Sequence, residues 1–180
     1  CGWGTLMRRL KERGVLDQGF SEQIGEAMMA SCCALMNEFG AVLGQTHSDE
    51  LTVLVPPTKG ARAHGGSMQK WISTAASVAT NVFNRRIAAV AAERNMVLDK
   101  VIVAHFDCRV GVFETAAEAQ ALILWRASDC AVNAPSDAIK WSDAAMKVRE
   151  FNTIEKLAYL QSHELLPLRR HHGYGSLFAE

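Results

Sequence analysis

The sequence predicts an α+β fold in which helices pack on one face of a small antiparallel sheet. Three observations carry this expectation. The chain has 180 residues, 49% of them apolar, enough for one core and too few to require two. Long stretches with apolar residues at i, i+3, i+4 and i+7 alternate with short apolar runs of strand length. Their order is helix, hairpin, long helix, short strands, helix and smaller helices, which suits two packed layers around a single core.

Ser21 can cap a helix in which Ile24, Met28 and Leu35 share a face, and Gly40 is a natural stop, so a helix is expected from about Glu22 to Glu38. The apolar runs Ala41–Thr46 and Leu51–Val55 are joined by His47-Ser48-Asp49-Glu50 and ended by Pro56-Pro57. They read as a β-hairpin with acidic residues at its turn. Residues 58–66 are rich in Gly, Lys and Arg and read as a loop. Ser67 then opens a long helix with a buried stripe running from Trp71 through Val78, Phe83 and Ile87 to Val90. Val101–Ala104 and Arg109–Phe113 read as two strands or one bent strand. Thr115-Ala-Ala-Glu118 is a capping-box pattern, so a helix is expected after Glu114, ending near Val132 ahead of Pro135. Short helices are expected near Ser136, carrying Trp141 and Val148, and near Thr153. The basic stretch Leu168–Gly175 reads as loop.

Nineteen basic and 19 acidic residues cancel, so no global field draws the chain onto nucleic acid and any RNA contact must come from local clusters. The five cysteines form no C-x-x-C pair and their number is odd. They read as reduced thiols in a cytoplasmic or mitochondrial interior, not as a secreted framework. No run has the length of a membrane span, and neither a signal peptide nor a transit segment is recognisable.

Asp49 and Glu50 lie where a tight turn presents carboxylates at a sheet edge without burying them, and hard oxygen ligands of this kind suit Mg²⁺. The same Ser-Asp-Glu also reads as a plain polar turn. Lys70 and Arg126 interrupt apolar helix stripes, as snorkelling or ion-paired side chains do. Arg126 and Asp129 form an i, i+3 pair.

Several segments then line up in order. Gly44-Gln45-Thr46-His47-Ser48-Asp49-Glu50-Leu51-Thr52 resembles the Gln-Ser-Asp-Glu hairpin of tRNA(His) guanylyltransferases and their Thg1-like relatives. Phe106-Asp107-Cys108-Arg109 is similar to that family's Phe-Asp-x-Arg strand, and Trp125-Arg126-Ala127-Ser128-Asp129-Cys130-Ala131-Val132-Asn133 to its Trp-Arg-x-x-Asp-Cys-x-x-Asn helix. Phe20-Ser21-Glu22 and Leu166-Pro167-Leu168-Arg169-Arg170 resemble shorter family segments.

The resemblance implies a polymerase-palm-like sheet over residues 1–134, with residues 135–180 as a helical and basic extension of the same domain. It implies nucleotide addition to the 5′ end of tRNA in the 3′-to-5′ direction, with GTP and ATP as substrates and a two-ion Mg²⁺ site. Asp49 would bind metal and Asp49 with Glu50 would serve the chemistry; Ser48, Lys70, Arg109 and Arg126 would hold the nucleotide; Asn133, Arg169 and Arg170 would face RNA. The family's other metal ligand is the Asp of a Leu-Asp-Gly-Arg segment that does not occur here. Either Trp3 stands at that position, or Trp3 matches the aromatic that follows and the Asp, with the first palm strand, lies ahead of Cys1. The second alignment is preferred because a palm sheet needs that strand. The family's His-Ile-Asn-Asn reads Ala131-Val132-Asn133-Ala134, and Gln18 replaces an expected Lys. The alternative function is therefore a catalytically silent member, binding RNA or supporting a ribonucleoprotein, with tRNA or another structured RNA and further protein copies as partners.

Overall fold

A computed structural model describes residues 2–17, 21–60, 63–98, 102–140 and 150–179. Helix α1 (Trp3–Glu12) precedes α2 (Glu22–Phe39), and the hairpin β1 (Leu43–His47) and β2 (Glu50–Leu54) follows. A short α3 (Pro57–Gly60) and a 3₁₀ turn (Ala63–Gly66) lead into α4 (Met68–Glu93). Beyond the segment 102–115 come α5 (Ala116–Lys140), α6 (Thr153–Ser162), α7 (Arg170–Tyr174) and β3 (Ser176–Ala179). The three strands form an antiparallel sheet in the order β2-β1-β3. The expected α+β class is what the structure has.

Local chemistry sets most of these boundaries. Ser21 Oγ accepts from the Ile24 N–H at 3.4 Å, and Gly40 ends α2 in the left-handed region at φ 61°, a conformation that glycine adopts without steric penalty. The capping box at α5 forms: Thr115 Oγ1 accepts from the Glu118 N–H at 3.2 Å, and the Glu118 carboxylate accepts from the Thr115 N–H at 3.1 Å.

Helix α2 lies on one face of the sheet, against Gly44. A Cβ at Gly44 would fall 2.5 Å from Met36 Sδ and 2.8 Å from Cys32 Sγ, so glycine lets strand and helix approach. Helix α4 packs against α2, and its Trp71, Ala75 and Ala79 join Leu51 and Val53 of β2 and the following Val55 in the core. The expected helical layer is this α2–α4 pair. Helix α5 adds a cover on the opposite face, where buried Gln45 donates to Cys130 Sγ at 3.7 Å. The largest core cluster joins Leu6 and Leu10 of α1, Met28 of α2 and Phe83, Ile87 and Ala91 of α4. Trp3 lies edge-on to Phe83 and Phe106, with ring centroids at 5.1 and 5.2 Å.

Five expectations need correction. The loop expected over residues 58–66 contains the short α3 and a 3₁₀ turn. Helix α1 has no counterpart in the sequence reading, although Leu6 and Leu10 stand at helical spacing. The strands expected at Val101–Ala104 and Arg109–Phe113 are absent among the described residues, where the chain pairs with no strand. Asn84 of α4 takes the partner's place: its amide accepts from the Ala104 N–H and donates to the Ala104 carbonyl, both at 2.9 Å. Thr80 Oγ1 accepts from the Phe106 N–H at 3.1 Å. Pro135 does not end α5, which runs through it to Lys140 and absorbs the helix expected to begin near Ser136; Trp141 and Val148 lie outside the described residues. Proline removes one intrahelical bond, and burial of Ala134, Pro135 and Ile139, the last against Leu160 of α6, offsets that loss. Finally, residues 168–175 are not all loop, because α7 leads directly into β3.

Because Ala104 is buried, Asn84→Ala should leave its N–H and carbonyl unsatisfied and lower stability by about 2 kcal/mol. Urea denaturation checks this, and an unchanged midpoint would mean that Phe106 packing alone holds the segment.

Candidate functional site

The hairpin register places His47 opposite Glu50, leaving Ser48 and Asp49 as a two-residue turn. Ser48 has φ 53°, a left-handed conformation uncommon for a residue with a side chain. Thr46 Oγ1 donates to the Glu50 carbonyl at 3.0 Å and braces the turn from within. The Asp49 carboxylate is partly exposed and has no hydrogen-bond or ion-pair partner among the described residues.

Glu50 is placed differently. Arg126 of α5 grips it with both terminal nitrogens, Nη1 to Oε2 at 2.8 Å and Nη2 to Oε1 at 3.0 Å. This two-pronged geometry fixes direction as well as distance. The adjacent carboxylates are therefore divided, with one tied to α5 and the other open.

The remaining sequence-predicted residues are dispersed. Lys70 stands exposed in the first turn of α4 with no ion-pair partner among the described residues. Arg109 is 94% exposed and leans on Asp107 at 3.7 Å. Among the predicted cations, Arg126 is the one for which the described contacts include a partner in the hairpin. Asn133 is exposed on α5, and Arg169 pairs with Glu22 at the start of α2. Arg170 begins α7, its side chain lying outside what is described, as do Gln18 and Phe20.

The sequence reading missed the imidazoles beside the hairpin. His47 Nε2–H donates to the His172 carbonyl at 3.4 Å, and the rings of His171 and His172 meet at 3.9 Å. Together with Ser21, Ser48 and Asp137 they line an open pocket of about 90 Å³, small beside the roughly 300 Å³ at which ligand pockets begin. Burial, then the neighbouring His171, Arg169 and His47, pull His172 down to about 4. Burial also lowers His171. The paired histidines in Leu168–Gly175 were visible in the sequence, but β3, which brings them to the hairpin, was not.

The tRNAHis guanylyltransferase family model matches residues 4–114. The chain belongs to that family of nucleotidyltransferases. Its match covers the hairpin and the Phe106–Arg109 segment, whereas α5 and Arg126 lie beyond it. No curated protein sequence matches the chain. Among solved structures, a bacterial tRNA(His) guanylyltransferase-like protein in complex with ATP is similar with a TM-score of 0.77 at 19% identity, over 99% of this chain and 74% of that one. A second such bacterial protein, in complex with GTP, gives 0.64 at 24% identity, over 91% of this chain and 66% of that one. At these identities the likeness establishes the shared fold, and the chain spans roughly two thirds to three quarters of the relatives' lengths.

A histidine whose folded pKa is depressed binds its proton more readily when unfolded, so stability should rise with pH across that window. Below about pH 6.5, the unfolded value, the chain should lose stability until His172 itself titrates near 4. Thermal melts between pH 7 and 4 should show a falling Tm, and His172→Gln should flatten the decline. An equal decline in that variant would assign it to other groups.

Proposed function

We propose that this chain is a nucleotidyltransferase that adds nucleotides to the 5′ end of tRNA in the 3′-to-5′ direction, using GTP and ATP, in the cytoplasm or mitochondria. The observation that carries this reading is the open Asp49 carboxylate on a two-residue turn within the family match. Support comes also from the similar structures, whose proteins bind ATP and GTP. On this reading Ser48, Lys70, Arg109 and Arg126 serve the nucleotide, and Asn133, Arg169 and Arg170 serve RNA.

Mg²⁺ is the metal such chemistry uses, and Asp49 is a suitable hard ligand for one ion. The described residues do not fit a two-ion site: no group of three His, Cys, Asp or Glu side chains among them is arranged to hold a metal, and Glu50 is engaged by Arg126. Trp3 offers no ligand, because its ring packs against Phe83 and Phe106. What the chain's own groups can supply is position and charge. Arg126 holds the second hairpin strand against α5, and Asp49 remains available to a cation at the turn.

The shortage of carboxylates favours a second reading, a silent family member that binds RNA within an assembly of copies or other proteins. No helix among the described residues is long and apolar enough to cross a membrane.

Loss of one electrostatic clamp on developing charge costs about 2.7–4 kcal/mol, or roughly 10²–10³ in rate. The 180-residue chain should therefore bind nucleotide and RNA yet transfer poorly. The assay incubates it with 5′-phosphorylated tRNA, labelled GTP, ATP and Mg²⁺, beside a version carrying a Leu-Asp-Gly-Arg strand ahead of Cys1. Transfer restored by the added strand supports the enzyme reading. Robust transfer by the chain alone would overturn the carboxylate argument, and inactivity of both with retained RNA binding would favour the silent member.

A further inference from the structure

Trp125 is a large aromatic residue whose position the fold does not account for. It is 57% exposed, next to Leu124 at 71%, although an indole carries more apolar area than almost any other side chain. Its ring is held from one side: the Arg126 guanidinium carbon lies 5.1 Å from the ring centroid. That same guanidinium grips Glu50 at 2.8 and 3.0 Å. The cation thus contacts both the indole and the carboxylate, and Asp49 is the residue next to Glu50 in the chain. Arg126 is only 25% exposed, so its place between Trp125 and Glu50 is a built feature of the α5–hairpin contact.

We propose that the open side of Trp125 is a stacking platform for a nucleobase. The base could belong to a free nucleoside triphosphate or to the terminal nucleotide of an RNA; both offer the same π face. The inference rests on the nucleotidyltransferase reading and adds a base-binding position to it. Two features fit a base better than an aliphatic ligand. A flat aromatic stacks on indole whichever base it is. The guanidinium 5.1 Å from the ring centroid backs the indole on one side, so the platform is held in place before a base arrives.

The test compares the chain with Trp125→Ala and Trp125→Phe, both checked for unchanged melting and for oligomeric state by sedimentation. Binding is titrated with ATP, GTP, inorganic triphosphate and a 5′-phosphorylated RNA stem. Trp125→Ala should weaken base-bearing ligands by roughly 5- to 100-fold. Trp125→Phe should stay within a few-fold of the unmodified chain, and inorganic triphosphate, which has no base, should bind all three alike. Loss confined to ATP and GTP assigns the platform to the free nucleotide; loss confined to the RNA stem assigns it to the RNA end. If Trp125→Ala binds every ligand as the unmodified chain does, the platform is wrong while the nucleotidyltransferase reading stands. An oligomer that dissociates in Trp125→Ala would likewise overturn it, by making the indole a subunit contact. If the unmodified chain binds no nucleotide and no RNA, both readings fall.

Discussion

The two-pronged ion pair between Glu50 and Arg126 is the contact on which the candidate site depends. It joins residues 76 positions apart and ties α5 to the edge of the hairpin. Its energetic contribution is small, because an ion pair with one partner half exposed is worth on the order of 1 kcal/mol or less. Its geometric contribution is larger. By occupying Glu50 it leaves Asp49 as the open carboxylate of the turn, and it holds Arg126 where the guanidinium also meets the indole of Trp125.

The rest of the molecule keeps the hairpin where α5 can meet it. Helices α2 and α4 cover one sheet face, with Gly44 permitting close approach, and Gln45 of the next position faces α5. On the far side of α4, Trp3, Phe83 and Phe106 pack edge to face. The segment that follows Ile102 depends on side chains of α4 where a strand would depend on a neighbour. A helix thereby does for Ala104 and Phe106 what a sheet does elsewhere, satisfying buried backbone groups that would otherwise be costly. Asp107 and Arg109, the charged residues of that segment, remain almost fully exposed.

What could be read from the sequence follows the range of the interactions. Helix α2, the hairpin, the start of α4 and the start of α5 rest on signals within a few residues: Ser21 and Gly40, the Ser48-Asp49 turn before Pro56-Pro57, Ser67, and Thr115 with Glu118. Each of these elements forms. The apolar runs around Val103 and Val110 signal an extended chain, but extension becomes a strand only with a partner, and no local pattern says whether one is present. Strand β3 is four residues long and follows a basic stretch, so its signal was hidden by its neighbours. Pro135 was a sound stop signal overruled by burial. At the site, the sequence located Asp49 and Arg126 but could not show that Arg126 would choose Glu50 over the nearer Asp129.

The central claim is that the two adjacent acids have different roles, Asp49 open to a cation and Glu50 committed to Arg126. Equilibrium binding of ATP with and without Mg²⁺, to the unmodified chain, Asp49→Asn and Glu50→Gln, tests it most directly. The account predicts that Mg²⁺ tightens binding in the unmodified chain and in Glu50→Gln but not in Asp49→Asn. A Mg²⁺ effect that survives in Asp49→Asn and disappears in Glu50→Gln would contradict it.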